Sequence, residues 1–120
     1  MNQFDKVYLN ILNEAVESNE FTEFLEKRKK GAHKIEISAR KKGGPSLLTA
    51  IHFKAKAVPY AKAIKHSTKE NCIKLCEEQA DAVFEKLKDW KNMSMKDFQA
   101  ITGELEAWGE SYLKSKEINN

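Results

Sequence analysis

Apolar residues recur along this chain at helical spacing, then in alternation, then at helical spacing again. Phe4, Tyr8, Ile11 and Ala15 follow one another at intervals of four, three and four, with Val7 and Leu12 beside them. That is the stripe of an amphipathic helix, predicted over residues 3–17. Ser18 and Asn19 interrupt it. A second helix, predicted over 20–30, carries Phe21, Phe24 and Leu25 inward, with acids in its first turn and Lys27, Arg28, Lys29 and Lys30 in its last. Those charges complement the helix dipole, and Gly31 is a natural stop.

The period then changes. Ile35, Ile37 and Ala39 alternate with Lys34, Glu36, Ser38 and Arg40, a pattern that predicts a strand over 34–40. A second alternation over 46–56 sets Leu47, Thr49, Ile51 and Phe53 against Leu48, Ala50, His52 and Lys54. Between them lies Gly43-Gly44-Pro45. Both apolar sets occupy odd positions, so only an odd-length loop puts them on one face, and a three-residue loop places Glu36 opposite His52.

Pro59 suits the first turn of a short helix over 59–65. Ser67 with Glu70 makes a capping box for a long helix over 68–91, whose inner stripe is Ile73, Cys76, Ala80, Val83, Leu87 and Trp90. Ser94 with Asp97 opens a last helix over 95–115, with Phe98, Ile101, Leu105, Trp108 and Tyr112 inward. Gly103 and Gly109 each cost that helix about 1 kcal/mol relative to alanine, for close packing or as a weak end. The elements together predict an α+β fold in one domain, residues 1–120. Its parts are two N-terminal helices, a central β-hairpin, and a C-terminal antiparallel helical hairpin packed on one face of the sheet. The size fits one hydrophobic core, and eleven aromatic residues recur along it.

The net charge of +3 hides a strong separation. Residues 1–26 carry −5, residues 27–69 carry +12 with Glu36 the only acid, and residues 70–120 carry −4. In the hairpin, Lys34, Arg40, His52, Lys54 and Lys56 share the outer face and Lys41 and Lys42 sit at the tip. This is a surface for nucleic acid or another polyanion. Only two of the twenty-one basic residues are arginine, Arg28 and Arg40. Because arginine most often reads guanine edges, binding is expected to carry little sequence preference. The alternative is a protein-interaction module, an adaptor, inhibitor or subunit, in which the lysines only keep an edge strand soluble. Its partner would be another protein or a second copy joined through the sheet edge.

Catalysis finds little support. His33, His52 and His66 are the only side chains ordinarily titrating near neutrality, and none lies in a nucleophile, metal or phosphate motif. Cys72 and Cys76 lie four apart on one helix face and read as buried thiols. Joined to His52 and His66 they lack the paired spacing of a zinc site. No cofactor and no small-molecule substrate is indicated. No apolar run approaches the roughly 20 residues of a membrane span, the hairpin offers no exposed bulky apolar anchor for a bilayer, and the start lacks the features of a secretion signal. The expectation is a small, non-catalytic cytoplasmic accessory protein.

Overall fold

A computed structural model describes the backbone of residues 3–67 and 72–118 and the side chains of 20–67 and 72–118. The elements are α1 (Gln3–Lys42), α2 (Ser46–Ala55), α3 (Ala57–His66), α4 (Cys72–Leu87) and α5 (Met95–Ile118), with a 3₁₀ turn at Trp90–Asn92. Among the described residues there is no strand. The expected α+β fold, its β-hairpin at 34–40 and 46–56 and its sheet are therefore corrected: the chain is a helical bundle.

The two expected N-terminal helices and the first strand are one helix of 40 residues, about 60 Å long at 1.5 Å per residue. That matches the 63 Å long axis of the molecule. Neither Ser18-Asn19 nor Gly31 breaks it. The alternation around Ile37 is a coincidence laid over a longer helical stripe. Phe21, Leu25, Ala32 and Ala39 are all buried, at intervals of four, seven and seven, while Ile35 and Ile37 are 43% and 41% exposed. Lysine, glutamate, alanine and arginine, all strong helix formers, fill most of the positions between. The side chains of the stripe from Phe4 to Ala15 lie outside the described residues.

Gly43-Gly44-Pro45 is a turn, as expected, but between helices. Both glycines have positive φ, 66° and 55°, a conformation that other residues adopt only with strain. The Gly43 N–H donates to the Ala39 carbonyl at 3.1 Å and closes α1. The N–H groups of Ser46 and Leu47 then bond back to Gly43 and Gly44 as α2 starts. In α2 the odd-numbered apolar residues do not share a face. Ala50 is fully buried and Leu47 is 45% exposed.

Pro59 has no N–H to donate to Ala55, so the helix breaks at Lys56. The Lys56 backbone remains helical (φ −72°, ψ −23°), and α3 continues α2 past a kink. The short helix expected over 59–65 is thus the second half of a kinked α2–α3 unit. The Thr22 hydroxyl donates to Ser67 Oγ at 3.4 Å, placing the end of α3 beside the middle of α1, while α2 starts next to its end. The unit therefore runs antiparallel to α1.

Helices α4 and α5 pack on one another, with bounds that differ from those expected and with no sheet beneath them among the described residues. Residues 68–71, including the capping residue Glu70, lie outside the described residues, and Ser67 Oγ instead donates to the Ile64 carbonyl at 2.7 Å. Helix α4 ends at Leu87, and Trp90, expected on its inner stripe, is 55% exposed in the 3₁₀ turn. Ser94 caps α5 as expected, its Oγ accepting the Asp97 N–H at 3.1 Å. The core gathers Phe21, Leu25, Tyr60, Ala63, Cys72, Cys76, Val83 and Trp108 between α1, α3, α4 and α5.

Two glycines sit inside continuous helices without a packing reason. A Cβ added at Gly31 or Gly109 would meet nothing within 4 Å. Replacing either by alanine is expected to raise stability by up to about 1 kcal/mol, read as a higher denaturant midpoint at unchanged slope.

Candidate functional site

Helix α5 carries two adjacent columns of residues at four-residue spacing. One is small, Gly103, Ala107, Ser111 and Ser115, and all four are buried. The other is polar, Thr102, Glu106, Glu110 and Lys114. Residues four apart stack on one side of a helix, so the small column lets neighbouring helices approach while the polar column lies along the seam. Across that seam, α2–α3 presents His52, Lys56 and Tyr60, again four apart. The two columns meet in order along the chain, so α2–α3 and α5 run in the same direction.

The Lys56 side chain is 5% exposed. Its Nζ donates to Glu106 Oε1 at 2.8 Å and to Glu110 Oε1 at 3.2 Å, and lies 5.4 Å and 5.7 Å from the Phe53 and Tyr60 ring centroids. Such pairing is what makes burial of an ammonium tolerable. Glu110 is the hub. Its Oε1 accepts from Arg28 Nη2 at 3.0 Å and from Lys56, and its Oε2 accepts from Arg28 Nε at 3.3 Å and from the Tyr60 hydroxyl. Four donors fill the roughly four lone-pair positions of a carboxylate. At the other end, Thr102 Oγ1 donates to the Gln99 carbonyl at 3.0 Å, so His52 Nδ1, 3.1 Å away, is the donor to that oxygen. His52 Nε2 lies 3.0 Å from Glu106 Oε2 and donates there when the ring carries both protons.

Burial raises the Glu106 carboxyl, but the hydrogen bonds and charges of Lys56 and His52 together outweigh it and hold the group below its ordinary value. Burial, then the hydrogen bond and charge of Glu110, push the Tyr60 hydroxyl far up. Glu106 therefore contributes stability that is present above the ordinary carboxyl value of 4.5 and lost as pH falls below it. Tyr60 contributes stability that is present below the ordinary phenol value of 10.0 and lost as pH rises above it. Melting temperature is expected to fall at both ends, and Glu106→Gln is expected to flatten the acid limb while leaving the alkaline one.

Of the seven residues expected to form a basic face, the structure does not keep all together. His52 and Lys56 turn inward to α5. Arg40 is exposed but paired with Glu36 at 2.9 Å. Lys34, Lys41, Lys42 and Lys54 are exposed, with no acidic partner among the described residues. Glu36 belongs with His33 and Arg40 on α1 and not with His52. Lys34 and Lys42 flank a shallow groove of about 340 Å³ between α1 and α2, lined also by Ser38, Ser46 and Thr49.

Sequence reasoning missed Tyr60, Thr102, Glu106, Glu110 and Arg28 as one constellation. Its signal is present as H-x3-K-x3-Y and T-x3-E-x3-E, legible once both segments are read as helices.

The arrangement is suited to holding helices together. The lone pairs of Glu110 are occupied by protein donors, and the Tyr60 phenol is held protonated. Cys72 and Cys76 are both buried as free thiols, and the hydrogen bond with Cys72 together with burial pushes the Cys76 thiol well up. Among the described residues no three His, Cys, Asp or Glu side chains are grouped to hold a metal ion, and no helix is long and apolar enough to cross a membrane. Comparison with protein families, curated proteins and solved structures found no match, so the geometry alone carries the functional reading.

Proposed function

We propose that the chain is a non-catalytic cytoplasmic binding protein that holds a phosphate-bearing polyanion, nucleic acid among them, through lysines and without reading sequence. One observation carries this: the carboxylates of α5 fold back over Arg28, His52 and Lys56 but leave the outer lysines uncovered. Lys27, Lys30, Lys34 and Lys41 lie at intervals of three, four and seven along α1. At about 100° per residue they fall on the side opposite Phe21, Leu25, Ala32 and Ala39. All four are exposed. The basic residues in the last turn of α1 also complement its dipole, a role that explains Lys41 and Lys42 but not Lys27, Lys30 or Lys34.

Binding to mixed-sequence duplex DNA and to inorganic polyphosphate is expected at about 50 mM salt. With about six phosphate contacts it should weaken roughly a thousandfold by 200 mM. Replacing Lys27, Lys30, Lys34 and Lys41 together by glutamine should reduce affinity and flatten the salt slope, and no binding to either polymer at low salt would refute the reading. A protein-interaction role is the second reading. It is favoured by Phe84, Trp90 and Met95, which are 54%, 55% and 60% exposed around the α4–α5 connection.

A further inference from the structure

Helix pair α2–α3 has an outer stripe that charge alone does not explain. Leu47, Ile51, Lys54, Val58, Lys62 and Lys65 follow one another at intervals of four, three, four, four and three, so they share one side of a helix over about 27 Å. The helical backbone at Lys56 carries the phase through the kink. His52, Lys56 and Tyr60 fall on the opposite side, where they meet α5. The stripe therefore faces away from the core. Leu47 and Val58 are 45% and 59% exposed, Ile51 is half-buried, and Lys54, Lys62 and Lys65 are exposed. From residue 37 to residue 69 the chain contains no acidic residue at all.

Aliphatic side chains in line with lysines match one kind of polyanion better than another. A nucleic-acid strand would be met by arginine forks or by aromatic rings on which bases stack, and the stripe has neither. Leucine, isoleucine and valine add nothing to a phosphate contact and remain unfavourably hydrated beside it. At the surface of an anionic bilayer both residue types are satisfied, because the aliphatics enter the boundary between headgroups and acyl chains. The lysine stems follow them while the ammonium groups stay with the lipid phosphates. The expectation that this segment lacks an apolar anchor came from reading it as a strand, with Ile51 and Leu47 turned inward. As a helix it turns Leu47 out and leaves Ile51 half-buried beside it.

We infer that the outer stripe of α2–α3 is a docking face for an anionic membrane surface, on which the bundle lies without spanning the bilayer. The inference rests on the polyanion reading above and names the lipid headgroup layer as the polyanion.

Sedimentation with vesicles tests it, using phosphatidylcholine alone and phosphatidylcholine with about 30% phosphatidylglycerol, beside duplex DNA in the same buffer. Binding is expected to the DNA and, of the two kinds of vesicle, to the anionic one only. Leu47→Ser and Val58→Ser should each weaken it about tenfold, with DNA binding and the melting temperature unchanged. Lys54→Gln, Lys62→Gln and Lys65→Gln should each weaken it roughly fivefold. DNA binding without vesicle binding overturns the membrane inference and leaves the polyanion reading in place, whereas binding to neither overturns both. Concentration-dependent self-association that Leu47→Ser and Val58→Ser abolish, with no vesicle binding, makes a second copy of the chain the occupant and also overturns it.

Discussion

Replacing Glu110 by alanine is expected to lower the unfolding free energy by about 3–5 kcal/mol, the range for removing one partner of a buried ion pair. The loss is large because one carboxylate serves three residues from separate parts of the bundle: Arg28 of α1, Lys56 at the α2–α3 kink and Tyr60 of α3. Without it, the Lys56 ammonium keeps Glu106 alone, whose side chain is 48% exposed, and the Tyr60 hydroxyl loses its acceptor. An unmet buried polar group costs about 1–3 kcal/mol by itself. Urea unfolding at neutral pH checks this against Glu117→Ala. Glu117 is exposed and pairs only with Lys114 among the described residues, so that change is expected to stay within about 0.5 kcal/mol.

Gly103→Ala is expected to destabilise by about 1–3 kcal/mol, although alanine is the better helix former. A Cβ at this position would overlap the His52 carbonyl oxygen and would lie 3.0 Å from its carbon and 3.2 Å from Ala55 Cβ. The obstruction is backbone, which cannot swing aside as a flexible side chain would. Helices α2 and α5 must then separate at the point where His52 meets Thr102 and Glu106, so the upper end of the polar seam opens as well. Gly109→Ala, six residues along the same helix, has the opposite expected sign. Chemical denaturation of the two variants side by side separates a glycine required by helix approach from one that is merely tolerated.

That contrast shows how much of the fold and site is legible in the residues alone. The sequence assigns both glycines of α5 the same helical cost, and only the neighbour across the seam distinguishes them. The C-terminal hairpin was readable because its stripes, from Ile73 to Leu87 and from Phe98 to Tyr112, are long and bounded by Ser94. The segment from Ile35 to Phe53 was misread because short apolar alternations fit either period. Ile35 and Ile37 suggested a strand, while Phe21, Leu25, Ala32 and Ala39 extend a helix through the same residues. The Gly-Gly-Pro turn is compatible with either, since positive φ closes a helix as readily as it turns a hairpin.

The basic cluster was legible as composition but not as placement. Lys56 and Lys54 are two residues apart, which on a strand puts them on one face and on a helix sends one to Glu106 and Glu110 and the other to solvent. The same change of period separates His52 from Glu36 and joins it to Glu106. Arg28 could not have been assigned to Glu110 from spacing at all, because 82 positions separate them.

A double-mutant cycle between Lys56 and Glu110 tests most directly whether the polar seam holds α2–α3 to α5. With Lys56→Met, Glu110→Gln and the double variant, the coupling is expected at about 1.5–3 kcal/mol, within the range for residues sharing one ion-pair network. Lys54→Met, combined with the same Glu110 variant, is expected to be additive within about 0.5 kcal/mol. A Lys56–Glu110 coupling no larger than that control would contradict the seam as the element that fixes the bundle.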